Sequence, residues 1–141
     1  MGTTGVHHAL IAANIYLENL PDEKYYNLRD YADLELESRG SPVYVGRDKQ
    51  GRRVYSLGGG KDLGMAKKSI EDLTALLGYS SHDLLVQTVT IRGDKLLATL
   101  CGIPPVLGGR LWNCLAAAIL LKNQLPSIRE KIGHISVEQI P

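Results

Sequence analysis

The sequence predicts a single layered α/β domain over residues 1–141, a central sheet flanked by helices, with a β-hairpin at about residues 42–57. Three observations carry this prediction. Apolar residues at helical spacing alternate with β-rich runs along the chain. Two Val-Tyr runs flank a charged turn that contains glycine. No repeat, low-complexity tract or linker divides the 141 residues, a length that one domain fills without disulfides or metals to hold it.

The first residues, Met1-Gly2-Thr3-Thr4-Gly5, are turn-like. Val6, Ala9, Leu10, Ala13 and Leu17 then fall on one helical face, so Val6–Leu17 is read as a helix, with Thr3 or Thr4 as its cap. Pro21 follows as a stop. Tyr25–Glu37 is a second, more polar helix that ends before Gly40, and its tyrosines (Tyr25, Tyr26, Tyr31) belong to a half-exposed face. The period then changes. Pro42-Val43-Tyr44-Val45-Gly46 and Arg53-Val54-Tyr55-Ser56-Leu57 are strand-like, and Arg47-Asp48-Lys49-Gln50-Gly51-Arg52 supplies the turn, with a glycine available for positive φ.

Gly58-Gly59-Gly60-Lys61 leads into a helix from about Asp62 to Leu77. Its apolar stripe is Leu63, Ala66, Ile70, Leu73 and Leu77, and Gly78 follows as its stop. Leu84–Ile91, rich in Leu, Val, Thr and Ile, predicts a buried strand, and Asp94–Cys101 a short helix halted by Gly102 and Pro104-Pro105. The apolar run Leu115–Leu121 suits a strand or a buried helix. It is read as a strand, because Lys122-Asn123 follow it and Pro126 suits the first turn of a last helix, Pro126–Ile132.

Composition limits the function classes. Apolar residues make up 44% and charged residues 22%, a globular balance, and the formal net charge is +1. No global field draws the protein to nucleic acid or to an anionic membrane, so any anion site depends on local placement of charge. The run Leu115–Leu121 is far too short to span a bilayer, and no apolar leader opens the chain. Cys101 and Cys114 sit in apolar stretches, as reduced buried thiols do, and a cytoplasmic protein is expected.

Some of these residues also form a familiar pattern. Gly5-Val6-His7-His8-Ala9, the helix Leu10 to Leu17 and Leu20-Pro21 resemble the opening of DUF3189, a family of uncharacterised proteins from Firmicutes. There a glycine turn with a histidine leads into an Ala-rich helix ending in Leu-Pro. The stretch from Tyr44-Val45-Gly46-Arg47-Asp48 through Gly51 to Val54-Tyr55-Ser56-Leu57-Gly58 resembles the same family's aromatic-Gly-x-Asp turn and Val-Tyr strand. Leu84–Val89 and Gly108-Gly109-Arg110 extend the likeness more loosely. Family members usually carry a short apolar strand before the Gly/His turn, whereas this chain starts at the turn. They also tend to have small hydroxyl residues after the histidine, where His8 and Ala9 stand here, so only His7 matches the family histidine. The resemblance implies the fold and a cytoplasmic location and carries no activity with it.

Two loops are candidate sites. Thr3-Thr4-Gly5-Val6-His7-His8 precedes a helix, so its N–H groups and hydroxyls can hold a phosphate or carboxylate, and His7 is a candidate acid or base. Its bland reading is a capped helix terminus with surface histidines. Gly58-Gly59-Gly60-Lys61 can likewise aim N–H groups and a lysine at an anion. It lacks the Walker A spacing, and Asp62 stands where Ser or Thr would hold magnesium, so its bland reading is a turn with Asp62 as helix cap.

Arg110 can add a guanidinium fork. No metal site is expected: His7 and His8 point about 100° apart on a helix, and His82, His134, Cys101 and Cys114 lack ligand spacing. The basic residues Arg47, Lys49, Arg52 and Arg53 are read as a solvated hairpin tip without an aromatic stacking platform, which makes nucleic acid an unlikely partner. The sequence therefore supports a small-anion or nucleotide-phosphate binder using Thr3, Thr4, Gly5, His7, Gly58, Gly59, Gly60, Lys61 and Arg110. The alternative is a non-catalytic interaction or assembly protein that uses the hairpin and an exposed sheet edge. Convergence of the two glycine loops on one place distinguishes the two. The opening helix also carries Ile11, Ala12 and Ile15 beyond its main stripe. With no strand beside it, a wide apolar surface and one sheet edge are expected to stay open and to drive formation of a homodimer, or of a complex with a related chain.

Overall fold

The opening helix α1 (His8–Tyr16) is apolar on every side, and a helix of that kind must be covered all round. The computed structural model describes residues 1–20, 25–93, 95, 96, 99, 103 and 109–138. In it every residue of α1 from His8 to Asn14 is buried. Helices and one two-stranded antiparallel sheet make a small mixed α/β domain.

The helix expected over Tyr25–Glu37 is interrupted. It resolves into a 3-10 turn at Tyr25–Asn27 and a short helix α2 (Leu34–Ser38). Between them Asp30 and Ala32 adopt left-handed φ angles of 65° and 55°. The break has a tertiary cause: the Ala32 N–H donates to the Val6 carbonyl at 3.0 Å, which ties this segment to the turn that enters α1. Asp33 then caps α2, accepting from the N–H groups of Glu35 and Leu36 at 3.0 and 3.1 Å.

The hairpin forms where expected, as β1 (Val43–Arg47) and β2 (Arg53–Ser56). Asp48 organises its tip. Its carboxylate accepts from the backbone N–H groups of Gln50 and Arg52 at 2.9 Å, and from Arg52 Nε at 2.7 Å. The Tyr16 hydroxyl reaches it from α1 at 3.1 Å. Gly51 takes the positive φ of 80° that the turn requires.

Residues 1 and 2 lie between the end of the hairpin and a later segment. Gly2 forms a parallel bridge with Gly58, with Gly2 N to Leu57 O at 3.0 Å and Gly59 N to Gly2 O at 2.8 Å. On the other side Met1 N donates to Gln87 O and Val89 N to Met1 O, both at 2.8 Å. The expected strand at Leu84–Ile91 is not formed. Val86 and Val89 turn inward while most of their neighbours stay in solvent, because two residues offer too few ladder partners to organise a strand. Among the described residues the sheet is the hairpin itself, smaller than the central sheet that the sequence suggests.

Helix α3 (Leu63–Leu76) is capped by Asp62, whose carboxylate accepts from Met65 N at 2.9 Å, and it ends at Gly78 with φ 81°. None of its residues is buried. The run Leu115–Leu121 is helical, within α4 (Gly109–Lys122), which corrects the strand expected there. Alanines at 116–118 favour a helix, and Ala117 and Leu121, four apart, both reach the core. The last helix α5 (Leu125–Glu138) starts one residue before Pro126 and runs past Ile132. The helix expected at Asp94–Cys101 lies largely outside the described residues, as do Cys101 and the Cys114 side chain.

The core joins the two ends of the chain. Ile11, Ala12 and Leu20 meet Tyr25, Val89, Ala117, Leu121, Leu125, Ile128 and Ile132. Helix α1 packs on α5 and on both hairpin strands. This overturns the premise that α1 keeps an open apolar surface. Exposed apolar residues lie elsewhere, among them Met65, Leu73 and Leu76 of α3 and Leu111, Leu115 and Ile119 of α4. Among the described residues no helix is long and apolar enough to cross a membrane.

Candidate functional site

The two glycine loops meet. A Cβ built on Gly5 would lie 2.7 Å from the backbone N of Gly58, and one built on Gly58 would lie 2.9 Å from the backbone N of Gly5. The Ser56 hydroxyl, fully buried, donates to the Gly5 carbonyl. Glycine is needed at both positions because two backbones touch there.

The turn that enters α1 already holds an anion of the protein's own. Glu37, on α2, places its Oε2 2.7 Å from Gly5 N and 3.1 Å from Val6 N, and accepts from both N–H groups. Its other oxygen lies against Gly58, in the space that a Cβ there would need. Burial pushes the Glu37 carboxyl above its usual range, against the two backbone hydrogen bonds, which favour the charged form. Nothing local in the sequence marks Glu37: it stands 31 and 32 residues from its two donors, and only the tertiary fold brings it there.

The expected site residues divide into a buried and an exposed group. Thr4 and His7 are buried, with His7 Nδ1 3.2 Å from Thr4 Oγ1, and the His7 ring packs edge-on against Tyr31 with centroids 5.8 Å apart. His8 is buried too, so the surface histidines of the bland reading are not found. Helix α1 takes no side-chain cap from either threonine: its N-cap is His7, which makes no capping hydrogen bond. Thr3 is half-buried, and its hydroxyl oxygen is buried with no hydrogen-bond partner among the described residues. Gly58 and Gly59 are half-buried, whereas Gly60 (φ 68°) and Lys61 are in solvent. Arg110 lies in the first turn of α4, and its side chain is outside the described residues. Among the described residues no group of three or more His, Cys, Asp or Glu is placed to hold a metal.

A sequence model of the family described as "Protein of unknown function (DUF3189)" matches residues 1–132. The chain belongs to the DUF3189 family. The match covers the glycine turn, the hairpin and most of α5, so in this DUF3189 protein the candidate site lies wholly within the family region. No curated protein and no solved structure matches the chain.

Proposed function

We propose that this DUF3189 protein binds a small anion, a phosphate or phosphorylated small molecule, at the junction of Thr3–His7 with Gly58–Lys61. One observation carries the reading: the N–H groups of Gly5 and Val6 already hold a carboxylate, that of Glu37. Two convergent backbone donors beside a helix start suit a tetrahedral or planar anion equally well. Glu37 occupies that position in the absence of ligand, and an incoming phosphate displaces it. Lys61, in solvent at the end of the second loop, supplies the countercharge.

Titration with inorganic phosphate, followed by amide NMR and thermal shift, tests this. In Glu37→Ala, phosphate should move the Gly5 and Val6 amide signals and raise Tm more than in the native protein. Saturation at a hundredfold Kd is worth about 2.7 kcal/mol of stability. If phosphate moves neither amide in either protein, the reading fails.

A second reading, association with a further chain, rests on the exposed line Leu111, Leu115 and Ile119 on α4. Residues four apart form one continuous stripe on a helix. Light scattering at micromolar concentration should give a dimer mass that Leu115→Glu reduces to the monomer. A monomer mass for the native protein refutes it.

A further inference from the structure

The outward face of the hairpin gathers two aromatic rings and two guanidinium groups. Strict alternation along β1 would send Tyr44 and Arg47, three apart, to opposite faces. A bulge prevents this: Tyr44 pairs with Tyr55, but Gly46 pairs with Val54 and Arg47 with Arg53, so one residue is inserted between Tyr44 and Gly46. Tyr44 and Arg47 thereby share a face with Tyr55 and Arg53, which alternate normally on β2. The tyrosine rings contact edge to face, with centroids 5.5 Å apart at 60°, and are 52% and 45% exposed. The four side chains line a shallow groove of about 280 Å³.

The charges on the hairpin sort into two sets. Around the tip they are neutralised: Arg52 pairs with Asp48 at 2.7 Å and Lys49 with Glu18 at 2.6 Å. On the tyrosine face they are not. Arg47 donates from Nη1 to the Gly51 carbonyl at 3.1 Å, and neither Arg47 nor Arg53 has a carboxylate partner among the described residues. A cross-strand tyrosine pair alone has a structural use, since it steadies the pairing of the two strands. That use does not explain a bulge that aims two uncompensated arginines at the same surface.

We propose that this face, Tyr44, Tyr55, Arg47 and Arg53, binds single-stranded nucleic acid, with a base stacked on the tyrosines and the adjoining phosphates held by the two arginines. Aromatic rings accept any base on their faces, and guanidinium forks match phosphate oxygens. The net charge of +1 does not oppose this, because the contact is local and involves two phosphates.

Fluorescence anisotropy of the full chain with labelled oligo-dT and oligo-rU of about 12 nucleotides tests the proposal. The logarithm of the binding constant should fall against the logarithm of salt with a slope of about −1.4, as two phosphate contacts require. Arg47→Gln or Arg53→Gln should each reduce that slope by about 0.7. Tyr44→Val or Tyr55→Val should weaken binding roughly 5- to 150-fold, and Phe at either position should restore it. Circular dichroism of each variant checks the fold, and if a valine variant unfolds, the arginine slopes and the phenylalanine variants still decide. No binding at low salt, a slope unmoved by the arginine variants, or equal affinity for duplex of the same length would overturn the proposal. Equal affinity for a mononucleotide would do so as well, by replacing the strand with a free nucleotide.

Discussion

Replacing Gly5 with alanine should destabilise the protein by roughly 1–3 kcal/mol, the cost of forcing an extra methyl group into closely packed structure. The new methyl group would stand 2.7 Å from the Gly58 backbone N and 3.2 Å from the Leu57 carbonyl carbon. Neither atom is free to retreat. Leu57 and Gly59 are hydrogen-bonded to Gly2 at 3.0 and 2.8 Å, and Ser56, one residue earlier, is bonded to the Gly5 carbonyl. Gly60 provides the control: its added Cβ meets nothing within 4 Å, so Gly60→Ala carries only the strain of a φ of 68°, about 1–2 kcal/mol. Urea unfolding of the two variants separates contact from backbone strain. If Gly5→Ala costs no more than Gly60→Ala, the two loops do not touch as described.

Acid should unfold the protein earlier than its carboxylates alone would dictate, because of His8. Burial pulls the His8 pKa from 6.5 down to about 3, and the positive charges of His7, the Met1 amino group and Lys131 act in the same direction. A hydrogen bond with the Val89 backbone acts against them. The folded state thus keeps His8 neutral while the unfolded chain takes up a proton. This contribution to stability is complete above about pH 6.5 and is lost as pH falls from there toward 3. Between neutrality and pH 5 the loss from this one residue is about 2 kcal/mol. The unfolding free energy from urea titrations at the two pH values should fall by that amount in the native protein, and the pH dependence should flatten in His8→Gln. Parallel curves for the two proteins would show that His8 protonates freely in the folded state.

The sequence and the structure agree wherever a local pattern decides the outcome. Helix α1, the hairpin with Gly51 at its tip, and α3 with Asp62 before it and Gly78 after it all follow from spacing and from turn chemistry. They part where the decision is tertiary. Leu84–Ile91 has strand composition but lacks, among the described residues, a neighbour long enough to pair with. Leu115–Leu121 is apolar on both sides, so its period is hidden until α5 and α1 cover only one of them. Ala32, with its left-handed φ, is set by a hydrogen bond to Val6 that no window of sequence contains. At the candidate sites the two glycine loops are legible, because glycine announces close approach. Glu37 is not, since one glutamate among several on a polar stretch carries no mark of where it will dock. The tyrosine and arginine face is hidden as well: the sequence reads Arg47 and Arg53 as part of a solvated tip with no aromatic platform, and only the bulge sets Arg47 on the face of Tyr44.

The packing of α1 on α5 also sets an order in time. A ribosome adding 5–20 residues per second releases α1, largely apolar, many seconds before residues 125–132 are made. Until then Ile11 and Ala12 lack the part of their cover that α5 supplies, although Ala32, Glu37 and Asp48 can already bond to Val6, Gly5 and Tyr16. The nascent protein therefore passes through a stage in which its most water-averse helix waits for its last one. Binding by chaperones during synthesis should be concentrated on α1 and should end when α5 leaves the exit tunnel.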